Sequence, residues 1–502
     1  MAMKESGLFA YNESAVMAGE SFPKMGFFPL IMSTITLIVG GGVFSLCSDM
    51  VAAGADGQAI INAWIISGVG VLCLVLTFFT LSRVKPQLKG GIYSYAANGF
   101  GQFTGFASAW GYWISATFCI ISYCPLLFSA IGYFVPAFGD GTNLPSLVGA
   151  SIIVWFYVIL VSCGVTQAAF VNAIVALAKL IPIFTAIIAI IFLSAFDPAT
   201  FIANLHVATT DPDSGALLAD PDKVAAALTT TIWVFLGIEG AVAISGRAKK
   251  TSDVGKATIV AFCCVLAIYL MISLLALGVL PLDELGALDN PPLAGLMAAA
   301  VGDWGAILVN VGVIISLIGS MLGYTVLTSE VPFESAESGV GFPKFFARSN
   351  DKKAPIGSLL VSGIIVQVFL FVMLFSNNTY QFFYGISVGL ILLPYLLCAL
   401  YFVKVSFCES GIFAGKVKMP VWFCRILAVV AVVYSLVLFY ATGTEGFAIT
   451  CFIYAPGALV YVFSKYQHGE HDLFATAGDK ILLVAVLIGL AASIYFVAAG
   501  LV

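Results

Sequence analysis

The sequence predicts an all-α integral membrane protein of two inverted five-helix repeats, with discontinuous helices 1 and 6 and two to three extra C-terminal helices. Three observations carry that expectation. The 502 residues are 61% hydrophobic and 9% charged, with a mean hydropathy of +1.07, whereas soluble domains carry about 25% charge. Apolar stretches of roughly 20 residues, enough to cross the hydrocarbon core, recur about 13 times from Met25 onward. Two of them break their own helical pattern with glycine at matching places in the two halves. They read Ile38-Val39-Gly40-Gly41-Gly42-Val43-Phe44-Ser45 and Trp233-Val234-Phe235-Leu236-Gly237-Ile238-Glu239-Gly240.

Taken in order, the spans are expected near 26–48, 59–81, 105–134, 147–164, 169–195, 226–245, 257–281, 305–329, 357–376, 379–403, 421–441, 446–464 and 480–500. Residues 1–25 form a polar N-terminal segment without a signal-peptide core, so the first span is expected to be retained. Residues 26–196 make the first set of five spans. An Asp-, Pro- and Thr-rich connection over 197–225 precedes the second set at 226–404. Five is odd, so the second set inserts upside down, the form of an inverted repeat. Residues 405–502 hold the remaining helices, which lack a polar interruption and are expected to be accessory or to form a homodimer contact.

The distribution of charge orients the chain better than its net value of -5. Lys4 and Lys24 precede span 1, and Arg83, Lys85 and Lys89 follow span 2. Arg247, Lys249, Lys250 and Lys256 follow span 6, and Lys344, Arg348, Lys352 and Lys353 follow span 8. Lys404, Lys416, Lys418 and Arg425 follow span 10, and Lys465 and Lys480 flank the last connection. All fall on one side, while Asp49, Asp56, Asp140, Asp211, Asp213, Asp220, Asp222, Asp283, Glu284 and Asp289 fall on the other. The positive-inside rule then places the N-terminus in the cytoplasm. Only Lys179 and Lys223 break the pattern.

Several function classes drop out. The cysteines sit mostly inside spans, at Cys73, Cys119, Cys263, Cys264 and Cys451, and no paired Cys-x-x-Cys accompanies histidines. His468-Gly469-Glu470-His471-Asp472 reads as a solvated loop rather than a metal site. Gly385-Ile386-Ser387-Val388-Gly389 matches a hydrolase nucleophile elbow, but it lies in an apolar span with no strand before it. There is no phosphate-binding loop for ATP drive and no nucleophile–base pair. The expectation is a transporter with no cofactor, no metal and no nucleic-acid partner, not an enzyme.

A helix that stops in mid-membrane leaves unpaired N–H groups at one new end and unpaired carbonyls at the other. Each would cost several kcal/mol in hydrocarbon without a partner. An α-carboxylate suits the N–H end and an α-ammonium the carbonyl end, so one zwitterion could bridge both breaks. Gly40 to Gly42 would also permit plain close packing of helices. Glu239 sits about midway along span 6, where a carboxylate costs about 2.5–3.5 kcal/mol on insertion scales. It is a candidate proton carrier. Beside it, Trp233 could close over a cationic side chain. Lys179 lies about 15 Å into span 5 at helical rise, too deep to reach water easily, and could supply a fixed positive charge. Glu330, about 37 Å along span 8, is expected at a wet interface.

These residues resemble the basic amino acid/polyamine antiporters of the amino acid–polyamine–organocation superfamily, nearest to its bacterial arginine–ornithine exchangers. The likeness covers most of the first ten spans. It is carried by Gly40-Gly41-Gly42-Val43-Phe44, Gly90-Gly91-Ile92-Tyr93-Ser94-Tyr95, Trp110-Gly111-Tyr112-Trp113, the run Trp233 to Gly240, the run Arg247 to Lys256, and Pro394-Tyr395. The resemblance implies a LeuT-like fold, residence in a bacterial inner membrane, and alternating-access exchange of an amino acid for its metabolic product. It implies substrate contacts at Ile38, Gly40, Gly41, Gly42, Ile120, Tyr123, Trp233, Leu236, Tyr324 and Ser387. It further implies a gating cluster of Tyr112, Glu239 and Tyr395, with Lys179 standing where relatives hold sodium.

Three positions depart from the arginine–agmatine branch. Ile120 replaces an asparagine that faces the guanidinium, Tyr324 a tryptophan, and Tyr123 a methionine. Losing that amide removes a polar contact a guanidinium would use. The expected function is therefore a cationic amino acid antiporter of arginine/ornithine type. Two alternatives stay open, a proton-coupled amino acid symporter and an antiporter for a non-guanidinium amino acid and its decarboxylation product.

Overall fold

Glycine decides how the first membrane span is built. In a computed structural model, which describes residues 26–88, 91–164, 169–193, 195–212, 215–239, 251–339, 341–375 and 380–499, α1 (Phe27–Ile38) stops just before Gly40. A 3-10 turn (Gly42–Phe44) and the short α2 (Leu46–Ala52) complete the span. α3 (Gly57–Val84) starts on Asp56, whose carboxylate accepts the Ala59 N–H at 2.9 Å. α4 (Ile92–Phe100) and the long α5 (Gln102–Gly132) are separated by Gly101, whose φ of 129° suits glycine. α6 (Leu144–Ser162) is capped by Asn143, and α7 (Ala169–Phe192) completes the first five spans. Lys4, Lys24, Lys89, Gly90 and Asp213 lie outside the described residues, as do Gly240, Arg247, Lys249 and Lys250.

The second half starts after α8 (Pro198–Ala203), a short helix in the acidic connection. α9 (Asp220–Phe235) ends where Leu236 leaves helical dihedrals and Gly237 takes φ of 102°. Then follow α10 (Thr251–Ala276), α11 (Leu282–Gly286), α12 (Pro292–Val301) and α13 (Asp303–Glu337). α14 (Ile356–Met373), α15 (Tyr380–Cys408), α16 (Val421–Ala441), α17 (Gly443–Gln467) and α18 (Ala477–Ala498) close the chain. Among the described residues every regular element is helical, apart from a single antiparallel bridge between Thr210 and Leu217.

Ten described helices are long and apolar enough to cross a membrane. The three other expected spans correspond to α1 with α2, to α7 and to α9. α13 runs well past the expected end at 329, because its 35 residues span about 52 Å at helical rise and the chain stays helical beyond the hydrocarbon. Glu330 is exposed on that extension. Lys223, the outlying lysine near the acidic connection, is buried and pairs with Asp56 at 2.8 Å.

Burial separates hub from periphery. The apolar window of α5 is 94% buried and that of α18 only 11%, so α5 is the post around which α13 and α15 pack. Close approach needs small residues. A Cβ at Gly111 would collide with the Tyr454 hydroxyl, and one at Gly457 would sit 2.9 Å from the Trp110 indole. Proline inside a helix frees the carbonyl four residues earlier, which in a membrane must find another donor. Pro394 frees Leu390, whose carbonyl takes the Tyr454 hydroxyl at 2.8 Å. Pro332 frees Thr328, whose carbonyl takes the Ser362 hydroxyl at 3.1 Å, while Trp113 Nε1 donates to that serine at 2.8 Å. α18 is tied to the hub by Asp479, which accepts the Thr104 N–H at 2.9 Å and its hydroxyl at 3.1 Å.

Candidate functional site

The two helix breaks meet. An added Cβ at Gly42 would lie 2.5 Å from the indole Nε1 of Trp233, and one at Gly41 would lie 2.6 Å from Leu317. Span 1 therefore lays its backbone against the Trp233 ring of span 6 at Gly42 and against Leu317 of α13 at Gly41, and each approach needs its glycine. Among the described residues, the N–H groups of Gly40, Gly42 and Val43 make no backbone hydrogen bond. The Gly41 N–H faces the Tyr123 hydroxyl. On the carbonyl side, the Tyr269 hydroxyl of α10 donates to Val234 at 3.0 Å and lies 3.4 Å from the Ile38 carbonyl. One hydroxyl carries one proton, so it satisfies one of these acceptors at a time. The result is a cluster of donors beside a cluster of acceptors, both formed by main chain.

An aromatic row runs across the breaks. Tyr324 meets Tyr123 edge-on at 5.7 Å, and Tyr123 meets Trp233 at 5.7 Å. Trp233 in turn stacks on Tyr384 at 5.2 Å and 19°. Its Nε1 donates to the Tyr380 hydroxyl at 2.9 Å, and Tyr380 lies 3.0 Å from the Ser45 hydroxyl. Thr230 holds Tyr384 at 3.2 Å. The indole is thus fixed by a stack on one side and a hydrogen bond at its edge. Tyr269, Tyr380, Tyr384 and Ser45 are absent from the sequence-based set of site residues. The one local signal for the α15 pair is its spacing of four, which puts both rings on one helix face.

Glu239 follows directly on the second break. Its carboxylate accepts the Tyr395 hydroxyl at 2.7 Å and also the Tyr112 hydroxyl. The structure therefore gathers Tyr112 from α5, Glu239 from the segment after α9, and Tyr395 from α15 into one cluster. Ile38, Ile120 and Leu236 are buried, at 1%, 3% and 7% exposure. Ile120 and Tyr123, three residues apart, share a face of α5. Ser387 is fully buried, exchanging hydrogen bonds with Ser115 and lying 3.2 Å from the Cys119 sulfur, so its hydroxyl serves the α5–α15 contact. Lys179 is buried in α7 and forms no ion pair among the described residues.

Exposure grades along the molecule. Asp49, Ser45, Trp233 and Tyr380 are sealed toward the end that carries the acidic loops. Gly40, Tyr112, Glu239 and Tyr324 are half-buried, and Glu330 and Glu334 are exposed toward the other end. Among the described residues no group of three His, Cys, Asp or Glu side chains could hold a metal. Such a site can bind a small zwitterion by its two main-chain poles and enclose its side chain with aromatic rings.

Residues 25–463 match the model of the family described as amino acid permease. The chain is 37% identical to an arginine/ornithine antiporter of Pseudomonas aeruginosa over 95% of its own length and 98% of that protein's. It is 35% identical to an arginine/ornithine antiporter of Latilactobacillus sakei, with the same coverage of 95% and 98%. To an arginine/agmatine antiporter of Chlamydia caviae it is 34% identical over 93% and 96%. Interrupted helices that present main-chain donors and acceptors, within a multi-pass helical fold matched almost end to end by bacterial transporters, lead to one conclusion. This chain belongs to the amino acid permease family, and it is a transporter rather than an enzyme.

Proposed function

We propose that this protein exchanges cationic amino acids across a bacterial inner membrane by alternating access, arginine for ornithine. The observation that carries the reading is the meeting of free N–H groups at Gly40 and Gly42 with acceptor carbonyls at Ile38 and Val234, beside an aromatic row. The α-carboxylate takes the N–H pole and the α-ammonium the carbonyl pole. Trp233 covers the side chain, and its bond to Tyr380 closes the path toward the acidic loops.

Residues 26–196 and 226–404 act as the two inverted repeats, with the N-terminus cytoplasmic and the acidic loops outside. The conformation described here is then sealed on the outside and graded open toward the cytoplasm. Glu239, Tyr112 and Tyr395 form the inner gate, and Lys179 supplies a fixed charge in place of a coupling cation. The helices after residue 404 present apolar outer faces to lipid or to a second copy.

Ile120, buried one turn from Tyr123, favours a second reading for the side-chain end of the site. It offers no hydrogen bond to a guanidinium, so an ammonium or imidazole side chain is the competing substrate. Uptake of labelled arginine into proteoliposomes preloaded in turn with ornithine, agmatine, lysine and histidine separates the two. Ornithine as the best internal partner supports the proposal. Arginine failing against every partner, while lysine or histidine exchanges, supports the second reading.

A further inference from the structure

Asp49 has a place in the molecule that no substrate contact named so far explains. It lies on α2, about 10 Å beyond Gly42 at helical rise, toward the acidic-loop end. It is 1% exposed. Its Oδ1 accepts the Gln381 Nε2 at 2.9 Å, while among the described residues its Oδ2 has no hydrogen-bond partner. No lysine, arginine or histidine pairs with it among the described residues. A buried carboxylate with an open oxygen is costly, and in a membrane such a group marks a pathway for a cation.

Its surroundings fit that role. Ser45, one turn away on the same strand of chain, lies beside the carboxylate. Ser45 in turn meets Tyr380, which holds the Trp233 indole. The Tyr380 and Tyr384 hydroxyls lie within electrostatic reach of the Asp49 carboxylate. A cation arriving from the acidic-loop end would therefore meet a carboxylate close to the two tyrosines that hold Trp233.

The geometry points to Asp49, with Gln381, Tyr380 and Tyr384, as an outer cation subsite that captures the charged side chain of the incoming amino acid before Trp233 admits it. The inference rests on the proposed cationic exchange and adds a second, outer station to it. Gln381 holds one oxygen and leaves the other unpaired among the described residues. When the Trp233–Tyr380 bond opens, the free oxygen is what the substrate's side chain can pair with. Arginine and ornithine both carry such a cation, so one subsite serves either.

The test is the KM at the outer face in right-side-out membrane vesicles, with protein recovery checked by size-exclusion elution. Asp49→Asn is expected to raise the outer KM for arginine and ornithine roughly tenfold or more, the loss of one charge-assisted contact. The KM at the inner face should move less. Inhibition by citrulline, the neutral isostere of arginine, should change little, so arginine/citrulline selectivity narrows. Asp49→Glu, which keeps the charge, should restore much of that selectivity and separates a charge effect from misfolding. An unchanged outer KM in Asp49→Asn, or an equal loss for arginine and citrulline, overturns the subsite while leaving cationic exchange in place. A wild type that exchanges no cationic amino acid overturns the proposed substrate and the subsite together.

Discussion

Tyr395 donates its hydroxyl to the Glu239 carboxylate at 2.7 Å, just past the point where α9 breaks. The pair joins α15 to the interrupted sixth span, so a change in either partner's position is felt at the carbonyl pole proposed to bind substrate. Glu239→Gln keeps the shape and removes the charge. It is expected to lower the exchange rate more than substrate affinity, by roughly tenfold or more in rate. Exchange kinetics alongside titration calorimetry check this. Equal losses in both would place Glu239 in binding instead.

Trp233 is clamped between Tyr123 and Tyr384 and bonded to Tyr380. Trp233→Ala should weaken arginine binding by roughly tenfold or more through the lost aromatic cover. Tyr380→Phe leaves the Tyr384 stack and deletes the edge bond together with the Ser45 contact, so its effect should be smaller. An unchanged dissociation constant in Trp233→Ala would reject the lid.

Gly42 stands where a Cβ would lie 2.5 Å from the Trp233 indole. Gly42→Ala should therefore separate the two breaks, at a cost of about 1–3 kcal/mol for overpacking. Uptake should fall at least severalfold while the protein still elutes as a folded species. Wild-type uptake in this variant would show that the close approach is dispensable.

The Tyr454 hydroxyl replaces the donor that Pro394 denies to Leu390. Tyr454→Phe leaves that carbonyl unmet in a dry contact, worth about 1–3 kcal/mol. The midpoint of thermal unfolding in detergent should shift down by about 1–3 °C. No shift would mean that water or a rearranged helix supplies the bond.

The all-helical membrane class, ten of the expected spans and the places of both breaks were legible because they follow from run length and glycine, which are local signals. Residues gathered from distant spans are a different matter. The cluster of Tyr112, Glu239 and Tyr395 was legible only through the family resemblance, since no spacing links α5, α9 and α15. Tyr380 and Tyr384 look like ordinary membrane aromatics until Trp233 is seen lying on them. Ser387 shows the converse case, a small polar residue whose hydroxyl is taken up by Ser115 in the helix contact. α4, α11 and α12 escaped because they are short helices in connections, with too few turns to show a period. Asp49 was read as one loop charge among several, and only its burial separates it from the rest.

Obligatory exchange is tested by uptake of labelled arginine into proteoliposomes that are either empty or loaded with ornithine. Uptake is expected only into the loaded vesicles, with or without a pH gradient. Uptake into empty vesicles driven by an imposed pH gradient would contradict it and make the protein a proton-coupled importer.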